Sequence, residues 1–149
     1  MTIDDLNIIR EFLIESRQNL VRLDHELVEL ERSPKDAALL ASIFRTVHTI
    51  KGTCGFFGFT ILQAITGEAE TILSQLRAGE RELSANLILL VVEVIDAVRA
   101  ILDEIDRTRG EGMNQYPDLV KRLQAMAGAP LQRLRPVPAA STAPAVPAN

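Results

Sequence analysis

The sequence has one cysteine, no tryptophan, one tyrosine and five phenylalanines. A lone Cys54 cannot build an internal disulfide, which fits a reducing compartment. With aromatics at 4%, core formation falls to Leu, Ile, Val and Ala, the residues that suit helix packing. Positive charge is not in excess: 16 Lys and Arg stand against 20 Asp and Glu, for a net charge of −4. That balance argues against nucleic acid, whose binders carry a basic patch. No apolar run approaches the roughly 18 residues of a membrane-spanning helix. The polar, acidic start Met1-Thr2-Ile3-Asp4-Asp5 is not a signal peptide. There is no glycine-rich nucleotide loop and no metal-binding carboxylate cluster. These absences point to a soluble cytoplasmic domain with no cofactor of its own.

What the chain does have is apolar periodicity, in 47% hydrophobic residues. Leu6, Ile9, Leu13, Leu20, Leu23, Leu27 and Leu30 recur at threes and fours, predicting a long amphipathic helix over about 3–32 that stops at Ser33-Pro34. A second helix, about 36–57, should bury Leu40, Ile43, Phe44, Val47, Ile50 and Cys54. Gly58 suits a left-handed helix stop and Thr60 suits the cap of a third helix, about 61–78. Its core side should be Leu62, Ile65, Ala69, Ile72, Leu73 and Leu76. The cluster Phe56, Phe57 and Phe59 between these helices reads as core at the bundle end. Ser84 caps a fourth helix to about Arg107, apolar nearly all round and so the most buried, or a second contact surface. A polar loop from Thr108 to Tyr116 leads to Pro117, which opens a short fifth helix to about Ala127.

Helices joined by short turns pack as antiparallel neighbours. The expected fold is all-α: an antiparallel four-helix up-down bundle with an additional short C-terminal helix. The domain should occupy 1–127. Residues 128–149 are rich in Pro and Ala without periodicity and read as a flexible linker to downstream domains absent from the sequence.

One stretch carries chemistry: Phe44-Arg45-Thr46-Val47-His48-Thr49-Ile50-Lys51-Gly52-Thr53-Cys54-Gly55. The offsets place His48, Lys51, Gly52 and Gly55 on roughly one helix face. A glycine inside a helix costs about 1 kcal/mol relative to alanine. Two beside one histidine suggest clearance, so that something large can reach the imidazole. An exposed helical histidine can be a metal ligand, a general base, a nucleophile or a plain solvated residue. His25 lies on another helix without such company and reads as solvated. Cys54 falls on the apolar stripe and reads as core.

As a nucleophile, imidazole accepts a phosphoryl group on one nitrogen while the other donates a hydrogen bond that fixes the tautomer. Glu70 is the candidate acceptor. It lies on the third helix, on the flank with Gln63 and Ser74, and its distance from the turn near Gly58 matches that of His48. Lys51 would supply cationic charge for phosphate oxygens, and Arg45, one turn the other way, would add to it. Two rival readings stand beside this one: a helical binding module without phosphate turnover, and a small metalloprotein using His48 and Glu70, which lacks further close ligands.

The run from Phe44 to Glu80, with His48-Thr49-Ile50-Lys51-Gly52 and Gly55-Phe56-Phe57-Gly58-Phe59, resembles the histidine phosphotransfer (HPt) domain at the N-terminus of CheA-type chemotaxis histidine kinases. The resemblance implies that His48 is phosphorylated by an ATP-binding kinase domain, which uses ATP and Mg2+. The phosphoryl group then passes to an aspartate of a response-regulator receiver such as CheY. It makes Lys51 the neighbouring cation and Glu70 the hydrogen-bonding carboxylate. The receiver is expected to dock across the second and third helices, on Arg45, Gly52, Gly55, Gln63 and Ser74. Related domains often carry a second histidine three residues before that glutamate. Here the position is Gly67, which implies a reduced network around His48.

Overall fold

The computed structural model describes residues 2–128. Five helices follow in order: α1 (Ile3–Arg32), α2 (Ala37–Phe57), α3 (Thr60–Arg77), α4 (Ala85–Thr108) and α5 (Pro117–Gly128). No strand occurs among the described residues. The segment read as a linker over 128–149 lies outside the described residues, apart from Gly128 at the end of α5.

Local chemistry sets the ends. Thr2 and Asp5 form a reciprocal capping box on α1. Asp36 accepts from Leu39 N at 3.1 Å at the start of α2, and Ser84 accepts from Leu87 N at 3.1 Å at the start of α4. Gly58 takes the left-handed conformation (φ 75°), and Phe59 N–H donates back to Cys54 O at 3.0 Å. That tight stop reverses the chain between α2 and α3.

The first four helices form a ring in which α1 packs on α2 and α4, and α3 packs on α2 and α4. This is the antiparallel up-down bundle, with α5 laid over α3 and α4. Gln75 donates to Ala127 O at 2.9 Å and Gln124 donates to Glu68 at 3.1 Å, tying α5 to α3. The outer groove between α2 and α3 is left uncovered. The core draws on every helix, with Leu20, Ile43, Leu62, Leu73, Leu102 and Leu123 fully buried. Each such side chain contributes about 1.5–3 kcal/mol through its removal from water.

Two expectations change. Phe56 is 78% exposed, because it lies two residues past Cys54, about 200° round the helix, and so on the side of α2 away from the buried stripe. Phe57 and Phe59 do close the end of the bundle, ringed with Phe12 at 5.0 and 5.7 Å. Thr60 does not cap α3; the cap position is Phe59, with no side-chain bond. Glu111, from the loop after α4, instead accepts from Ile61 N and Leu62 N, each at 3.0 Å. A carboxylate there satisfies two orphan donors and complements the helix dipole. As expected, α4 carries the largest buried set of the five helices, while Leu89 and Val92 are exposed.

Candidate functional site

The site grows from the register of α2 against α3. His48 meets Glu70, Lys51 lies over Gly67, and Gly55 faces Gln63. Each pair is symmetric about Phe59, at eleven, eight and four residues on either side. An antiparallel pair with equal rise per residue places such partners at equal height.

The α2 segment itself is poor in helix formers, with Thr46, Thr49, Gly52, Thr53 and Gly55 in ten residues. It is helical because Val47, Ile50 and Cys54 are buried against the bundle, and packing outweighs propensity. The threonine hydroxyls are satisfied locally: Thr46, Thr49 and Thr53 donate to the carbonyls four residues back at 2.9–3.0 Å.

His48 presents its imidazole to solvent, with the side chain 64% exposed. Nδ1 pairs with Glu70 Oε2. Nε2 has no hydrogen-bond partner among the described residues. Since the carboxylate only accepts, the proton sits on Nδ1 and the lone pair on Nε2. Glu70 is mostly covered, at 15% exposure, and its other oxygen accepts from Lys51 Nζ at 2.8 Å. Burial pushes the Glu70 carboxyl up, but the hydrogen bonds from Lys51 and His48 outweigh it and hold the carboxyl below its ordinary value. Glu70 is therefore a charged acceptor at neutral pH.

The space beside Gly67 is taken by Lys51. A Cβ at Gly67 would stand 3.8 Å from Lys51 Cε. The absent side chain thus gives the lysine stem a bed on α3, and a cation completes the network where a second histidine was looked for. The two glycines of α2 differ in what surrounds them. Around Gly52 nothing lies within 4 Å of a would-be Cβ, so the surface beside His48 is open. At Gly55 a Cβ would meet Gln63 Nε2 at 3.0 Å, so Gln63 lies over that glycine. Arg45 and Ser74 are exposed, one turn before His48 and one turn after Glu70 respectively.

Two residues near the imidazole were not singled out in the sequence. Phe44, read as core, is half-buried, and its ring runs parallel to that of His48 at 5.9 Å and 9°. Arg77, at the end of α3, places its guanidinium carbon Cζ 4.6 Å over the centroid of the Phe44 ring. The helical spacing was a usable signal: Phe44 is one turn before His48, and Arg77 two turns after Glu70.

Cys54 is fully buried, and burial, with the nearby Glu111 charge, pushes its thiol up to about 12. It is a packed thiol, unsuited to nucleophilic work. Among the described residues no three of His, Cys, Asp and Glu gather into a set that could hold a metal ion. No described helix is long and apolar enough to cross a membrane.

Comparison with known proteins agrees with this fold. The family model described as Hpt domain matches residues 7–111. The chain is 37% identical over 134 residues to the sensor histidine kinase CheAY of Helicobacter pylori, covering 87% of this chain and 17% of that protein. The solution structure of the histidine phosphotransfer domain of CheA superposes with a TM-score of 0.74 at 26% identity, covering 91% of this chain and 100% of that one. The crystal structure of the phosphorylated P1 domain of CheA3 in complex with CheY6 from R. sphaeroides shares the fold, with a TM-score of 0.73 at 20% identity, over 81% of this chain and 95% of that one. The chain spans under a fifth of the length of the curated relatives first matched. With a bundle of this topology, an exposed imidazole between α2 and α3, and a family match over most of its length, the chain belongs to the Hpt domain family.

Proposed function

We propose that this domain is the phosphoryl relay of a CheA-type chemotaxis kinase, acting in the cytoplasm, with His48 as phosphoacceptor. The observation that carries the reading is an imidazole held by Glu70 at Nδ1 with Nε2 open to solvent. The Nε2 lone pair attacks the γ-phosphorus of ATP held by the kinase domain. The bond to the β–γ bridging oxygen breaks, and ADP leaves with that electron pair. The Nδ1 proton stays in place, and the positive charge developing on the ring is balanced by the Glu70 carboxylate. In the return step a carboxylate oxygen of a receiver aspartate attacks the same phosphorus. The N–P bond breaks, its electrons return to Nε2, and an aspartyl phosphate forms.

ATP and Mg2+ belong to the kinase domain in this scheme, and the domain carries no cofactor itself. Lys51 and Arg45 make a cationic neighbourhood on a chain of net charge −4, suited to a phosphoryl group and to an acidic partner. Gly52, Gly55, Gln63 and Ser74 complete the docking face. A receiver such as CheY is the partner proposed, supported by the complex that a fold relative forms with CheY6.

Incubation with a CheA-type kinase domain and radiolabelled ATP should label the wild-type domain, and a CheY-type receiver should then discharge it. His48→Gln should take no label while its stability stays within about 0.5 kcal/mol of wild type, as for an exposed substitution. Label retained by His48→Gln rules the assignment out. Receiver binding without any labelling would make the domain a plain binding module.

A further inference from the structure

The hydrogen bond to Glu70 fixes one atom of the imidazole. It does not by itself fix the plane of the ring, because the ring can still swing about that single contact. Two further contacts address the plane. Phe44 lies 5.9 Å from His48, centroid to centroid, with the rings 9° from parallel. Arg77 stands with Cζ 4.6 Å over the centroid of Phe44. Helix α3 thus reaches the histidine twice, through Glu70 at Nδ1 and through the pair Arg77–Phe44 at the ring. Such ring and cation contacts are each worth a fraction of a hydrogen bond or more, enough to favour one ring orientation.

We infer that Phe44 and Arg77 are positioning residues that hold the plane of the His48 imidazole, so that Nε2 stays turned toward solvent. The inference rests on the phosphoacceptor reading for its consequence, though not for its geometry. Phe44 supplies the flat wall. Arg77 clamps that wall from α3, and its charge draws on the negative face of the ring. Neither residue touches the transferred group. Their effect is on the fraction of time Nε2 spends aligned with an incoming phosphorus, and misalignment of an attacking atom is costly in rate.

The test uses Phe44→Leu, Phe44→Tyr and Arg77→Gln in the intact domain. The first readout is the NMR order parameter of the His48 ring carbon Cδ2. It should fall in Phe44→Leu and Arg77→Gln and return to the wild-type value in Phe44→Tyr. The second is phosphorylation by phosphoramidate, a small donor that breaks its own P–N bond, releases ammonia and needs no protein docking. Its rate should drop about tenfold in Phe44→Leu, a few-fold in Arg77→Gln, and little in Phe44→Tyr. A loss seen only with the kinase domain and not with phosphoramidate would make the pair a docking contact and overturn the inference. So would an unchanged order parameter in both disruptive variants. If the ring loosens as expected but wild-type protein takes no phosphate from either donor, the positioning role stands and the phosphoacceptor reading fails.

Discussion

Lys51 Nζ sits 2.8 Å from Glu70 Oε1, on the carboxylate oxygen that His48 does not use. One partly covered carboxylate therefore serves two partners at once. Lys51 is committed to Glu70 in the resting domain, so its first effect is on the acid rather than on a phosphate. Replacing it with methionine should let burial prevail and move the Glu70 carboxyl upward. Gly67→Met, which crowds the lysine stem, should act in the same direction. A 13C titration of Glu70 reads the shift; an unmoved midpoint in Lys51→Met would remove the lysine from the network.

Glu70→Gln should exchange a charged acceptor for a neutral amide. The Nδ1–H tautomer should lose its preference, visible in 15N shifts of His48, and phosphorylation should slow by about ten- to a hundredfold. A wild-type rate with an unaltered tautomer would deny Glu70 its orienting role.

Acid should erase the contribution of Glu70 to stability. Its folded-state carboxyl lies below the ordinary glutamate value, so the unfolded chain binds the proton more readily. Stability from this group is fully present above about pH 4.5 and is lost as pH falls through the lowered folded value. Denaturation midpoints of wild type and Glu70→Gln should therefore differ near neutral pH and converge on acidification. A gap that widens as pH falls would contradict the sign.

The glycines of α2 should separate clearance from packing. Gly52→Ala meets open space and should gain up to about 1 kcal/mol of helix stability. Its labelling by phosphoramidate should persist while transfer to a receiver slows. Gly55→Ala must first displace the Gln63 amide, 3.0 Å away, and should gain less. Equal receiver transfer in Gly52→Ala and wild type would show that the open surface is not needed.

Glu111→Ala should destabilise the domain although it lies far from the site in sequence. Two backbone donors of α3 lose a carboxylate acceptor, at a cost of about 1–2 kcal/mol. Thermal melting measures this, and the loss should exceed that of Thr60→Ala, whose hydroxyl lies 3.5 Å from Glu111 and caps nothing. The reverse order would return the cap to Thr60.

The helices, their ends at Asp36, Gly58 and Ser84, and the core stripes were legible because periodicity and capping act between residues a few positions apart. The pairing of His48 with Glu70 was legible for a related reason: one tight turn at Gly58 fixes which residues of two successive helices share a height. The positions of Phe56, Phe44 and Arg77 were not. Whether an apolar ring faces the core, the solvent or a histidine depends on which neighbouring helix covers it.

The sequence by itself determined five helices, a nucleophile candidate and its acid, because each rests on backbone spacing along one helix or across one turn. Tertiary structure decided that a loop carboxylate fifty residues away caps α3, that Lys51 lies in the gap left by Gly67, and that α3 braces the imidazole through Phe44. Those contacts join side chains from separate elements, and only the packed bundle sets the distances between them.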